Sequence, residues 1–509
     1  MNAPRAQGSV RSDVVVLSAL ASVVLAVHFL LGNGYGWHRD ELQFLDDARH
    51  LQWGFVAYPP LTAFCGRVAI ALFGISPQVF RLPAAMVDTL SLVLVGLMAR
   101  DLGGRRMAQV VALLAMLPLG LALSSLMQYT SFDLLGWTLM AFFTARVLST
   151  GDERNWLGVG LGLGVGANSK YSIALLLVSV LVGLLALPSR RKHLRSRWFW
   201  YGALVATLMA APNLIWLARH QFITLQMETF IHARDVRHGR ADGYYSDQLL
   251  FTLLGFPLAV AGLVSLLRSA RFRLLSLFYV GPFVIFAALK GRGYYLIPAY
   301  PALYAAGAVA LERALNGRTH WLRLATWSVV TLAMLADTVA INLRMQPVYH
   351  PGSARWQNQL ANNGDLRDEI GWPELVAQVA AVRDALTPEE RANLGVLANN
   401  YGEAGAIALF GPQHGLPYPI SSTNTFHMRG YGTLNSTWSS TGPGPETLIV
   451  LGDTLENQLK NFETCRVAAQ VVIPYGVRNE EAVDHPVILV CHHLKLPWAV
   501  VWARSQEFG

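Results

Sequence analysis

Asp40 and Glu41 stand side by side in Trp37-His38-Arg39-Asp40-Glu41-Leu42-Gln43-Phe44-Leu45-Asp46-Asp47, a polar stretch between a long apolar segment and Tyr58-Pro59-Pro60. A carboxylate there can take a proton from an attacking hydroxyl. It can also stabilise positive charge at a sugar's anomeric carbon as the leaving group departs. The bland alternative is a solvated loop, or an ion pair between Arg39 and one of the acids. Trp37, Phe44 and Trp53 around the acids favour a packed site. Asp46 and Asp47 lie about two turns on, and at least one is expected to be a structural partner of Arg39 or Arg49. Asp133, in Gln128-Tyr129-Thr130-Ser131-Phe132-Asp133, opens an apolar segment. The helix dipole favours an acid there, but Thr130 or Ser131 can cap, and an ionisable group inside a span is a site candidate by default.

Three cations complete the set. Lys170, Lys290 and Arg292 fall in loops where positive residues are otherwise scarce, and cations there suit a phosphate or pyrophosphate at a membrane surface. Tyr294 and Tyr295 beside them read either as interfacial anchors or as hydrogen-bond donors to that phosphate. His38 has no partner at metal-ligand spacing. A phosphate-cradling glycine loop and a defensible Ser-His-Asp set are both missing from the sequence.

The elements that hold these residues are membrane helices. The chain of 509 residues is 53% hydrophobic and 14% charged, with mean hydropathy +0.36, against about 25% charged in soluble proteins. The apolar surplus falls in eleven segments: 14–31, 80–99, 110–126, 132–148, 156–167, 171–187, 199–217, 249–267, 274–289, 296–311 and 324–341. A twelfth, 61–73, is too short to span and reads as an amphipathic helix on the membrane surface. Arg5 and Arg11 precede the first segment, and arginines recur in every second loop, most densely at 190–197. The positive-inside rule then puts the N-terminus in the cytoplasm and the acid and aromatic loops outside. The net charge of +8 is a topology signal on this reading, not a sign of nucleic acid. The first segment reads as a retained span, because it is too long for a signal peptide and lacks a cleavage site.

From residue 345 long apolar runs give way to short ones. Strands are expected at 395–398, 447–451, 471–473 and 487–490, and helices at 373–386 and 402–409, which makes a small α/β domain. The expected division is a membrane domain over 1–344, with 33–78 as a first outer loop bearing surface helices, and an extracytoplasmic α/β domain over 345–509. Cys465 and Cys491 can form a disulfide outside the cytoplasm, the alternative being two thiols.

Several motifs together resemble a known family. They are His38-Arg39-Asp40-Glu41-Leu42, Trp53-Gly54-Phe55-Val56-Ala57-Tyr58-Pro59-Pro60-Leu61, Phe80-Arg81-Leu82-Pro83-Ala84, Phe132-Asp133-Leu134-Leu135, Ser169-Lys170-Tyr171-Ser172, Gly293-Tyr294-Tyr295-Leu296 and Asn400-Tyr401-Gly402-Glu403-Ala404-Gly405. Their order resembles the bacterial branch of family 39 glycosyltransferases. These are membrane enzymes of the GT-C fold, related to protein O-mannosyltransferases and to aminoarabinose transferases of lipid A. The resemblance implies a polyprenyl-phosphate sugar donor, transfer at the outer face of the bacterial plasma membrane, and inversion at the anomeric carbon. Asp40 matches the first-loop acid, the proposed base, with Glu41 as helper. Asp133 matches the second-loop acid, while Lys170 and the Lys290–Arg292 group correspond to the lipid-phosphate site.

Tyr401, Glu403 and Asn424 are the candidates for facing the site from the C-terminal domain. The acceptor, whether protein, lipid or glycan, stays open, as does a divalent metal; no cofactor is firmly implied. The rival readings are a transporter of a glycolipid or other anionic substrate, and a non-catalytic glycolipid-binding protein. Transporters tend to place charges near the midplane and to repeat their halves, and neither pattern is visible in the sequence.

Overall fold

The structure, a computed structural model, describes residues 9–432 and 440–509. Arg5, used above for topology, lies outside them. All eleven apolar segments are helical. Among the described residues, eight helices are long and apolar enough to cross a membrane: Val10–Leu31, Pro77–Asp101, Arg106–Leu123, Tyr129–Thr150, Arg197–Arg219, Tyr244–Arg268, Gly293–Ala314 and His320–Met345. The expected count of eleven is therefore eight by length and composition. It is nine if Ile173–Ala186 and Pro188–Arg195, bent by 111°, make one broken span. The remaining shortfall has a plain cause. Trp156–Ala167 has 12 residues and Arg273–Ala288 has 16, against the roughly 20 that cross a bilayer.

The short Trp156–Ala167 helix is held by its glycines. A Cβ at Gly136 or Gly162 would meet backbone of the facing helix at 2.7 Å, so these helices touch almost backbone to backbone, as small residues allow in membranes. The turn carrying Lys170 is thereby pinned beside the start of Tyr129–Thr150. Residues 220–247, which separate the apolar segments 199–217 and 249–267, contain the helix Ile223–Arg237, and Tyr244 and Tyr245 already belong to the next helix. The apolar stretch Leu61–Phe73 is a helix as expected.

After Met345 the chain becomes mixed. Four strands, β1 (Leu394–Ala398), β2 (Thr447–Leu451), β3 (Phe462–Gln470) and β4 (Val487–Leu494), form one sheet in the order β1-β2-β4-β3. β1 and β2 are parallel, and the other two pairs are antiparallel. Trp372–Asp384 and Tyr401–Phe410 are the two expected helices. The strand expected at 471–473 is not one; β3 precedes it. The reason is that β3 is an edge strand with most of its side chains in water, so it lacks the apolar run that marks a buried strand. Cys465 and Cys491 sit opposite each other in β3 and β4 and are joined by a disulfide.

The first-loop helix, Arg39–Arg49, is the joint between the two regions. The Arg81 guanidinium, 1% exposed, donates to Glu41 at 2.7 and 2.8 Å and to Glu369 at 3.1 Å. It thus ties a membrane helix, the first-loop helix and the C-terminal region at one point. Arg81→Met leaves two buried carboxylates unpaired, which should cost about 3–5 kcal/mol. Thermal unfolding of the detergent-solubilised protein checks this; a midpoint no lower than that of an exposed control such as Glu374→Gln contradicts it.

Candidate active site

Asp40 owes its position to the start of its helix. His38 is the N-cap: its Nδ1 accepts from the Asp40 amide at 3.2 Å, and Glu41 accepts from the His38 amide at 3.1 Å. This capping box fixes the first turn. Glu41 is fully buried, and besides His38 and Arg81 it accepts from the Met127 amide at 2.8 Å. The expected catalytic helper is therefore engaged on every side as an anchor for the helix. Asp40, one residue earlier, turns the other way and keeps its side chain 31% exposed.

Two groups hold the Asp40 carboxylate. Tyr401 donates its hydroxyl to one oxygen at 2.8 Å, and Gln128 donates to the other at 3.2 Å. The Arg39 guanidinium lies 5.0 Å from the centre of the Tyr401 ring. Tyr401 reaches Asp40 because Tyr401–Phe410 packs unusually close to the first-loop helix. A Cβ at Gly405 would lie 2.6 Å from that of Leu42, and one at Gly402 would lie 3.1 Å from that of Arg39.

Lys170 sits among three tyrosines, its Nζ 4.2 Å from the ring centre of Tyr295, 5.2 Å from Tyr294 and 5.4 Å from Tyr129. Rings attract a cation without neutralising it, which keeps Lys170 available for an anion. Asp133 and Glu228 lie within its electrostatic reach. Asp133 is buried and accepts from Trp137 at 3.0 Å and Ser172 at 3.5 Å. Tyr129 also feels the charge of Asp40, so it links the Asp40 end of the cluster to the Lys170 end. Arg292 faces the same tyrosines but is already paired: its Nε donates to Asp235 at 2.5 Å, and a second nitrogen bonds the same carboxylate. Lys290 is exposed, and no hydrogen bond, ion pair or ring contact joins it to the cluster among the described residues.

The structure thus gathers Asp40, Asp133, Lys170, Arg292, Tyr294, Tyr295 and Tyr401. It places Asn424 elsewhere: Asn424 is buried and donates to Gln43 at 3.0 Å. Asp46 and Asp47 are structural, but their partner is Arg429 and not Arg39 or Arg49. Arg39 pairs with Glu480, and Arg49 donates to the Ala408 carbonyl. Burial lifts the Asp47 carboxyl to about 6 against the opposing pull of Arg429. Sequence reasoning missed Tyr129, Gln128, Arg81, Glu228 and Asp235. The acids at 228 and 235 carried a signal, being charges in a segment opposite the Lys290–Arg292 turn. The described residues include no group of three or more His, Cys, Asp or Glu arranged to hold a metal ion.

Glu403 belongs to a buried acidic group beside this site. It lies 3.8 Å from His485 and near Glu481 and Arg39. Burial, reinforced by Glu481, pushes its carboxyl well above the usual range. Burial likewise lifts Glu481 to about 7, with Arg39 pulling the other way. The folded protein thus binds protons here that the unfolded chain has released, so stability should fall as pH rises from about 4.5 to about 7. Glu481→Gln should flatten that slope and raise the unfolding midpoint at pH 8 by roughly 2–4 °C or more. An unchanged slope contradicts the assignment.

A helical membrane bundle joined to a small α/β region is the architecture of the GT-C fold, and the chain shares that fold. Residues 57–216 match the family profile described as dolichyl-phosphate-mannose-protein mannosyltransferase. The fold is similar to ArnT from Cupriavidus metallidurans bound to undecaprenyl phosphate, at 16% identity and TM-score 0.55, covering 95% of this chain and 98% of that one. It is also similar to the arabinofuranosyltransferase AftD from Mycobacteria, at 14% identity and TM-score 0.51, covering 96% of this chain and 40% of that one. No curated protein sequence matches the chain.

Proposed function

We propose that the chain transfers a sugar from a polyprenyl-phosphate donor to an acceptor hydroxyl or phosphate at the outer face of a bacterial plasma membrane. The observation that carries this is the pairing of a half-open carboxylate, Asp40, with an uncommitted cation, Lys170, on either side of Tyr129. The profile match over residues 57–216 and the likeness to a protein solved with undecaprenyl phosphate support the same donor class. The membrane domain is 1–344, and 345–509 is an extracytoplasmic domain that covers the site and helps select the acceptor. The arginine-rich loops, cytoplasmic by the positive-inside rule, support that orientation.

In this reading the donor phosphate rests on Lys170, with Tyr294 and Tyr295 beside it. Arg292 contributes through its pair with Asp235, and Lys290 lies at the rim. Asp40 takes the proton of the acceptor hydroxyl, whose oxygen attacks the anomeric carbon from the face opposite the phosphate. The bond from sugar to phosphate breaks, its electron pair leaves with polyprenyl phosphate, and Lys170 stabilises the departing charge. The sugar is inverted. Tyr401 and Gln128 aim the carboxylate, and Asp133 balances Lys170 when no donor is bound. Glu41 holds the helix and takes no proton.

The test supplies purified full-length protein with a polyprenyl-phosphate sugar and measures release of polyprenyl phosphate. Asp40→Asn should lower kcat by about 10²–10⁴ and leave donor binding intact. Lys170→Met should weaken donor binding by roughly 10–100-fold, as expected for losing a charged hydrogen-bond partner. Wild-type turnover in the Asp40→Asn variant removes the base assignment. No lipid binding by the wild type removes the reading itself. Tyr401→Phe should lower kcat with the donor KM unchanged, and restored wild-type kcat in that variant would make the contact merely structural.

A further inference from the structure

Two helices that begin beside the site, Tyr244–Arg268 and Gly293–Ala314, carry a separate feature at their other end. Tyr244–Arg268, Gly293–Ala314 and His320–Met345 enclose a groove of about 840 Å³. Its walls are apolar and include Leu254, Leu258, Val264 and Val329, of which Leu254, Val264 and Val329 are exposed to what would be lipid. Two arginines line the groove as well. Arg268 and Arg313 stand in the last turns of their helices. The helix C-terminus carries partial negative charge that favours a cation there.

The two arginines differ in what they do. Arg313 donates to the Leu102 carbonyl at 2.8 Å. Arg268 makes no hydrogen bond, ion pair or ring contact among the described residues, and it is exposed. Such a cation at the mouth of an apolar groove has no counter-ion of its own. The catalytic cluster does not supply one. Arg292 precedes the helix whose last turn bears Arg313, so the two ends are separated by roughly 30 Å, close to a bilayer's hydrocarbon thickness.

We propose that this groove binds an anionic phospholipid of the leaflet opposite the catalytic site. An acyl chain lies along the wall near Val264 and Val329, and the headgroup phosphate pairs with Arg268, with Arg313 as second donor. Charge complementarity selects this occupant. A zwitterionic lipid would bring its own cation to two arginines, and a neutral one would leave Arg268 without a partner. Basic pockets between membrane helices commonly hold such headgroups. This site is independent of the sugar-transfer reading, since none of its residues belongs to the Asp40–Lys170 cluster.

Native mass spectrometry of the purified full-length protein tests this, with phosphatidylglycerol or phosphatidylcholine added in equal amounts. The wild type should retain phosphatidylglycerol about fivefold better, the ratio for roughly 1 kcal/mol from the one cation Arg268, Arg313 being already engaged by the Leu102 carbonyl. Arg268→Ala should remove most of that preference without changing phosphatidylcholine retention. Ala261→Trp, which fills the groove without touching its charge, should reduce retention of phosphatidylglycerol. Equal retention of the two lipids by the wild type, or an undiminished preference in Arg268→Ala, overturns the proposal. So does one-for-one displacement of phosphatidylglycerol by undecaprenyl phosphate, which would make the groove the far end of the donor's tail site.

Discussion

Arg81 is buried among two carboxylates and two backbone carbonyls, those of Gly32 and Gly36. A guanidinium taken out of water is tolerated only when nearly all its donors are engaged. The three segments that supply its partners are therefore not free to drift. Gly34 shows how tight this is: at φ +59 it passes the Arg81 side chain so closely that a Cβ would lie 2.4 Å from it. Because Glu41 is one of the partners, the first turn of Arg39–Arg49 is locked to the membrane helix. Asp40, the next residue back, inherits that rigidity while its own carboxylate stays partly open.

The other end of the same helix is fixed in the same currency with opposite sign. There one cation, Arg429, serves two acids, Asp46 and Asp47, with Tyr418 and Tyr58 donating to them. At Asp46 burial is the largest single influence, but Arg429, His50 and Tyr418 together outweigh it and hold the carboxyl below its usual range; at Asp47 burial prevails. With both ends clamped and Gly405 admitting Tyr401–Phe410 against its middle, the helix can present Tyr401 to Asp40 within hydrogen-bond distance. Precise support of this kind is what holds a reacting group in place.

The cationic side is built on a different principle. Lys170 is surrounded by π faces, whereas Arg292 is matched to Asp235. A carboxylate in direct contact would neutralise Lys170 before any ligand arrived; Asp133 and Glu228 act on it only from beyond ion-pair distance, and the rings lower the cost of holding the charge and leave its donors free. Asp133 and Asp88 are both buried acids in membrane helices, each held by a serine hydroxyl. Asp88 escaped the sequence reading because it lies in the middle of an apolar segment with no neighbouring charge.

Read without its fold, the chain already specified a polytopic helical protein, the helix at Leu61–Phe73, two helices and three of four strands beyond Met345, and, as residues the fold brings near one another, Asp40, Asp133, Lys170, Tyr294, Tyr295 and Tyr401. Those features are local: apolar runs, charge placed against hydropathy, and short motifs all show within a few residues. The number of helices long enough to span was not local, since short, glycine-rich helices depend on what packs against them. Which acid is free was not local either. Asp40, Glu41, Asp46 and Asp47 look alike as letters. Only the arrival of Arg81, with Arg429 and Tyr401 from far along the chain, makes three of them anchors and leaves one open. Ion pairs between distant segments leave no periodicity in a single sequence, so that decision belonged to the tertiary structure.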